Sequence, residues 1–475
     1  MSLKKTLISA ACAAMAGAAV PSQAASWTMM EGAEPPDSTH KLFGAVQIVY
    51  ENHFGCERMD GLQGATTHAL NNGLFNNQCR SGPELRDQKA DFYVPNLMVG
   101  ARGNFLPGRV NYFVTLNAGD NLANYKTFKT SREHTATFTD ASVTLSYIPG
   151  VRVRLGRFKK PGPEELYQGL DATDYIFMTD FVNRVQVERF IEGNAKGTAA
   201  ISGQGYSGNI KKYADDADVG RDTGVQFFDA FKRDKWTHSY AVMLAEGEGV
   251  HGFDLNSGHD TNLYWASEYD LPGGKGALKH GVKLFGWHQS GKRNFIIDSA
   301  GTKSQDFDKI RYGIGAKALG PIFGENRGIH RLGFELMYAE GMIFHTPAGN
   351  ISDAPFGGWV QVAAERENQS RGITLDYGYY LNKHWQFDAR WSRHDLLYKS
   401  LGTSTWGPAD RRELEFLTLG ATYHFTPDTR LTFNYEYRHV TAPDQTTSTA
   451  ANANNAYVVT GSVGDHLGLR LTHKF

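Results

Sequence analysis

The sequence predicts an all-β protein: a transmembrane antiparallel β-barrel of about 16 strands, with short periplasmic turns and long extracellular loops. Three observations carry this expectation. From residue 41 onward, segments of about 10 to 14 residues alternate apolar and polar side chains. Their connections alternate strictly between short and long. The chain opens on an export signal. Composition agrees, with 52 Gly, 28 Phe, 22 Tyr, 8 Trp and only 3 Cys in 475 residues. A mean hydropathy of −0.43 excludes a bundle of membrane helices, which needs several apolar runs of about 20 residues. With 49 Lys+Arg against 50 Asp+Glu there is no basic excess, so no nucleic-acid partner is expected.

The first 24 residues read as a signal peptide. Lys4 and Lys5 precede an Ala-rich apolar run, Leu7 to Val20, too short to anchor in a membrane, and Ser22-Gln23-Ala24 fits a small-x-small cleavage site. Its removal takes two Lys and no acids, so the net charge falls from −1 to −3. Residues 25–40 form an N-terminal periplasmic segment, and 41–475 form the barrel. Cys56 and Cys79 then remain in an oxidising compartment, and a disulfide between them would staple a polar surface loop.

Sixteen strand-like segments start near residues 41, 91, 109, 134, 151, 221, 235, 261, 280, 308, 329, 370, 385, 412, 429 and 462. The clearest is Lys309 to Lys317, basic or Gly at odd positions and apolar at even ones. Trp385, Phe387, Ala389 and Trp391 alternate with Gln386, Asp388, Arg390 and Ser392. Short connections such as Leu106-Pro107-Gly108, Pro149-Gly150 and Asn382-Lys383 have turn chemistry. The sheet must close because an open edge in hydrocarbon leaves backbone groups unpaired, and an even strand count with short turns on one side and long loops on the other is the outer-membrane pattern. Leu467, Leu469, Leu471 and Phe475 share one face of the last segment. A closing strand with a terminal aromatic looks like the C-terminal signature of bacterial outer-membrane barrels, so Phe475 is expected to engage the barrel assembly machinery and the outer face to meet outer-membrane lipid.

A barrel of this size encloses an aqueous channel. By alternation its inward bases include Arg102, Arg109, Arg152, Arg154, Lys283, Lys309, Arg311, Lys317, Arg331, Arg390, Arg438, Arg470 and Lys474. The inward acids include Glu51, Asp140, Glu268, Asp270, Glu335, Asp376, Asp388 and Glu436. That basic excess favours small anions as solutes; the alternative is that these charges pair across the lumen and support the wall. The connection at 162–220, the third long loop, is too long for a hairpin and is expected to be functional. Its apolar stretch around Phe177 and Phe181 carries Arg184, Glu188 and Arg189, and folding inward would narrow the channel.

Val153-Arg154-Leu155-Gly156-Arg157-Phe158-Lys159-Lys160-Pro161, followed by Glu164-Glu165-Leu166, resembles the G-x-F-K-x-P…L-E-E region of the phosphate-selective porin O and P family. Gly220-Arg221-Asp222-Thr223-Gly224-Val225-Gln226 resembles that family's R-D-x-G-V-Q, at the re-entry from its third loop, and Leu467-Gly468-Leu469-Arg470 is also similar. The resemblance implies a homotrimeric, 16-stranded outer-membrane porin, a passive diffusion channel whose third loop constricts the lumen and whose basic side chains guide anions, phosphate or polyphosphate among them. A different class of function is a barrel sheath or scaffold around a partner such as a periplasmic or extracellular electron-transfer protein.

Enzyme motifs fail on context, so no catalytic residue, metal or cofactor is expected. Gly247-Glu248-Gly249-Val250-His251-Gly252 fits GxGxxG but opens no helix. His251, Asp254, His259 and Asp260 read as polar loop residues, and Asp215, Asp216, Asp218 and Asp222 lack the terminal Glu of a calcium loop.

Overall fold

The structure is a computed structural model and describes residues 39–55, 78–81, 84–87, 90–121, 136–169, 173–187, 200–203, 206–209, 220–247, 249, 258–274, 278–296, 304–324, 328–345, 361–401, 411–443 and 463–475. The expected signal peptide and Cys56 lie outside them. Cys79 sits in a short strand, Gln78–Ser81, whose side chains are not described.

Sixteen antiparallel strands close into one barrel. They are β1 (Lys41–Phe54), β2 (Asp91–Leu106), β3 (Val110–Ala118), β4 (Ala136–Ile148), β5 (Val151–Lys159), β6 (Arg221–Arg233), β7 (Trp236–Ala245) and β8 (Asp260–Asp270). The second half is β9 (Gly281–Ile296), β10 (Ser304–Gly320), β11 (Ile329–Glu340), β12 (Gln369–Tyr380), β13 (Trp385–Lys399), β14 (Arg412–His424), β15 (Thr429–Thr441) and β16 (Asp465–Lys474). Each strand pairs with its neighbours in sequence, and β1 pairs with β16 to close the seam, His53 opposite His466 and Ala45 opposite Lys474. Gly44 and Phe475 exchange both backbone hydrogen bonds at 2.9 and 3.1 Å, which extends the seam to the last residue.

Alternation decides which face is which. On β8, Asn262, Tyr264 and Ala266 are buried while Leu263 and Trp265 are exposed on the outer wall. Exposed apolar side chains continue around the barrel through Leu97, Val99, Leu155, Leu244, Ile314, Leu375, Leu417 and Leu419. Such a wall is stable against hydrocarbon, and closure leaves no backbone edge there. Aromatic pairs border it at both ends. Trp236–Tyr269 (5.1 Å between centroids) and Trp385–Tyr423 (4.9 Å) lie by the short turns, and Tyr50–Phe92 (4.7 Å) and Tyr312–Tyr338 (5.3 Å) lie by the long loops. Gly108 and Gly150 take φ of 67° and 79° in two of the hairpins, where the strand twist favours a left-handed turn residue.

The long loops hold structure that alternation does not reveal. Gln78–Ser81 pairs with Glu84–Asp87 in the first loop. Ala200–Gly203 and Tyr206–Asn209 form a hairpin in the third loop. That hairpin joins Ile343–His345 and Gln361–Ala363, from the loop between β11 and β12, in a four-stranded sheet. The link is a parallel pairing of Ala200 with Gln361 and Ile201 with Val362.

Candidate functional site

After β5 the chain turns into the barrel. Pro163 precedes a single helical turn, Glu164–Tyr167, whose first residues use the fixed φ of proline as their lead-in. Lys159 bonds the carbonyls of Leu166 (3.0 Å) and Gln168, closing the C-terminal end of that turn with a cation. Phe181, Val182, Val185 and Val187 then pack into the same buried cluster as Phe285, Trp287, Met337 and Phe416 of the wall. Residues 182–186 form a π-helical turn, with the Val187 N–H donating to the Val182 carbonyl at 3.0 Å.

A chain of charged contacts ties this loop to one side of the barrel. The Glu164 carboxylate accepts from Lys283 (3.0 Å) and faces Lys317 at 3.3 Å. Burial alone would raise its pKa, but the two ammonium groups hold it down at about 2. Glu335 accepts the Glu164 N–H at 3.2 Å and the Trp287 indole N–H at 2.8 Å. Glu165 accepts from the Thr179 hydroxyl (2.6 Å) within the loop and from Arg390 (2.8 Å) on β13. Asp174 accepts from Arg331 and from Gln386 (2.9 Å). Arg331 also bonds Asp376 (3.0 Å) and Asp388 (2.9 Å), so one guanidinium serves three carboxylates. Arg470 and Arg430 donate to the Thr173 carbonyl, at 2.6 and 2.8 Å. Asp180 accepts from Arg184 on two atoms, at 3.0 and 3.1 Å, and lies 2.6 Å from Nδ1 of His394; Arg184 and His394 together keep its carboxyl well below the usual range despite burial.

Two glycines admit the loop's aromatic side chains. A Cβ on Gly468 would lie 2.7 Å from the Phe177 ring and 3.1 Å from Ile176, and one on Gly372 would lie 2.6 Å from the Phe181 ring. Gly468→Val should therefore lift residues 176–177 off β16 and change single-channel conductance. Unaltered conductance together with unaltered proteolysis of the loop would show that Phe177 does not sit there.

A cavity of about 190 Å³ lies between the loop, the wall strands it is bonded to, and β1 and β2. Thr173 to Thr179 line it on the loop side, and Gln47, Val49, Tyr93 and Asn96 of β1 and β2 line it opposite. Its charged border is mixed: Lys317, Arg331, Arg390 and Arg470 against Glu164, Glu165, Asp174, Glu335 and Asp376.

The structure distributes the residues singled out by sequence as follows. Arg102 lies over the Phe43 ring at 5.5 Å, and Arg152 faces Asp229 at 3.4 Å. Arg154 is buried against the Phe228 ring (4.4 Å) and bonds Gln226 at 3.1 Å. Lys309 is buried. Arg311 is fully buried and donates to the carbonyls of Val185 (3.4 Å), Ile310 (2.8 Å), Glu340 (3.2 Å), Gly341 (2.9 Å) and Met342 (2.8 Å). Lys317, Arg331 and Arg390 hold the loop as described, Arg390 also reaching Glu436 at 3.5 Å. Arg438 bonds Glu436 at 2.8 Å. Arg184 lies within the loop, bonded to Asp180, and Glu188 and Arg189 lie outside the described residues. Glu164 and Glu165 anchor the loop. Asp174 and Asp180 carry no sequence signal, because the loop has no periodicity to mark which of its side chains meet the wall; His394 falls on the inward face of β13 by alternation, but nothing in that pattern names Asp180 as its partner.

No family model matches the chain, and no curated protein matches it. Among solved structures it is similar to Salmonella typhi OmpF in complex with daunomycin, at 12% identity over 93% of this chain and 98% of that one, with a TM-score of 0.49. It is similar to Pseudomonas putida OprB at high pH, at 12% identity over 92% and 95%, TM-score 0.48. It is also similar to an anion-selective porin from Comamonas acidovorans, at 13% identity over 92% and 100%, TM-score 0.45.

Proposed function

We propose that this chain is an outer-membrane porin, exported and inserted by way of its C-terminal Phe475, which passes small hydrophilic solutes by diffusion. The observation that carries the reading is a closed barrel with an apolar outer wall, whose third loop is bonded to the inner wall beside a cavity with a charged border. Solutes partition into that cavity between Gln47, Tyr93 and Asn96 and the Thr173–Thr179 segment, where size and local charge set the rate.

The finer reading is a homotrimer that prefers anions, with phosphate a candidate solute. It draws on the sequence resemblance and on the inward basic side chains Arg102, Arg152, Arg154, Lys309, Arg311, Lys317, Arg331, Arg390 and Arg438. Many of these already face carboxylates or carbonyls, so the expected preference is small, a few-fold rather than tenfold. Refolded protein in a planar bilayer under a KCl gradient tests both levels. Open channels whose reversal potential leans modestly to chloride are expected, with current reduced by added phosphate. A cation-leaning potential would reject the anion reading, and no current from well-folded protein would reject the channel.

A further inference from the structure

At the seam of the barrel, three side chains on one inner face bring metal-binding atoms together. Glu51 and His53 are two residues apart on β1 and so point the same way, and His466 is the register partner of His53 on β16. All three are buried. Nε2 of His53 lies 3.7 Å from one Glu51 carboxylate oxygen, and Nε2 of His466 lies 3.4 Å from the other. Their donor atoms all fall within 4.8 Å of one another. We propose that Glu51, His53 and His466 form a binding site for a divalent transition metal ion, of the class that takes two imidazoles and a carboxylate, with a water as the fourth ligand.

The separations carry the proposal. Bonds of about 2.0–2.1 Å at tetrahedral angles place neighbouring donors about 3.3–3.4 Å apart; the His466 gap of 3.4 Å matches, and the His53 gap of 3.7 Å runs to the other carboxylate oxygen, so Glu51 turns slightly to present one oxygen to both rings. Two imidazoles and one carboxylate suit zinc, copper or nickel rather than calcium or magnesium, which prefer all-oxygen shells. Nε2 of His466 is buried and faces the Glu51 carboxylate. Binding needs two further adjustments. The His53 and His466 rings are stacked at 3.9 Å between centroids and must splay, because a metal lies in the plane of each ligating ring. Arg438 donates to Nδ1 of His466 at 2.8 Å; when Nε2 gives its lone pair to the metal, the ring proton moves to Nδ1 and Arg438 keeps its bond to Glu436. The loop closes the other side, since the Phe177 ring stacks on His466 at 3.6 Å. A bound ion would thus clamp the first strand to the last, directly beneath the constricting loop.

The test uses the full refolded chain in detergent, titrated with Co²⁺ followed by visible absorption, and with Zn²⁺ followed by the temperature at which the barrel loses its compact gel mobility. One equivalent of Co²⁺ with a d–d band, displaced by Zn²⁺, is expected, together with a Zn²⁺-dependent rise in unfolding temperature by mass action. In His53→Gln and His466→Gln the apparent Kd should rise at least tenfold and the thermal shift should vanish. Glu51→Gln retains the shape of the side chain and should weaken binding in the same direction if either histidine variant fails to fold. Absence of binding, or binding that survives all three changes and is lost instead in His259→Gln, would overturn the site. None of these readouts depends on ion conduction, so their failure is separable from failure of the channel reading.

Discussion

Replacing Arg331 with Met should release the middle of the third loop and raise single-channel conductance. Arg331 is buried and holds Asp174 of the loop together with Asp376 and Asp388 of the wall. Without it, three neighbouring carboxylates lose their common cation. Removing one partner of a buried ion pair costs about 3–5 kcal/mol, far more than an exposed pair is worth. The barrel's own strand ladders are untouched by the change, so the loop, held here by the Asp174 contact, moves before the wall does. We expect larger and noisier channels, new proteolytic cleavage within residues 161–187, and a barrel that keeps its heat-modifiable gel mobility. Arg331→Lys, which restores the charge without the three-way fork, should be intermediate. Wild-type conductance and protease resistance in the Met variant would mean that Asp174 does not anchor the loop.

Arg311→Ala should alter the loop without greatly altering ion preference. The side chain is 0% exposed and donates to the carbonyl of Val185 in the loop and to those of Glu340, Gly341 and Met342 at the end of β11. Met342 has a φ of 54°, a left-handed conformation that an ordinary side chain adopts only where its surroundings hold it there. Each buried carbonyl left unbonded costs about 1–3 kcal/mol, so the change should destabilise the junction of the two loops by several kcal/mol. The expected readout is increased current noise and faster proteolysis of both loops, with a reversal potential close to wild type. A large shift in reversal potential with quiet channels would instead make Arg311 a charge that solutes meet, and would return it to the role its strand position suggests.

That contrast shows what the sequence could and could not convey. Lys309 to Lys317 alternates so cleanly that its inner face is legible residue by residue, and the sixteen strand starts follow from the same two-residue period and from turns such as Pro107-Gly108. Period two reports a face; it does not report a partner. Alternation assigns inward bases and acids on the wall strands alone. The loop brings in Glu164, Glu165, Asp174 and Asp180, which sit against Lys283, Arg390, Arg331 and Arg184 and offset much of the basic excess. Their spacing follows no helical or strand period, so nothing marked them as wall-facing. Gly468 and Gly372 were likewise silent, because a glycine's value as a niche depends on which aromatic side chain arrives there.

The parallel pairing of Ala200–Ile201 with Gln361–Val362 joins segments roughly 160 residues apart in the chain. Contacts that distant in sequence carry a high closure entropy until something else holds their ends together, and here only the finished barrel does so. The small sheet should therefore be among the last parts of the molecule to form, and it should report completed assembly in a way no single hairpin can. It also couples two loops that would otherwise be free to change length independently over evolutionary time, because an insertion in either would shift the register of the other.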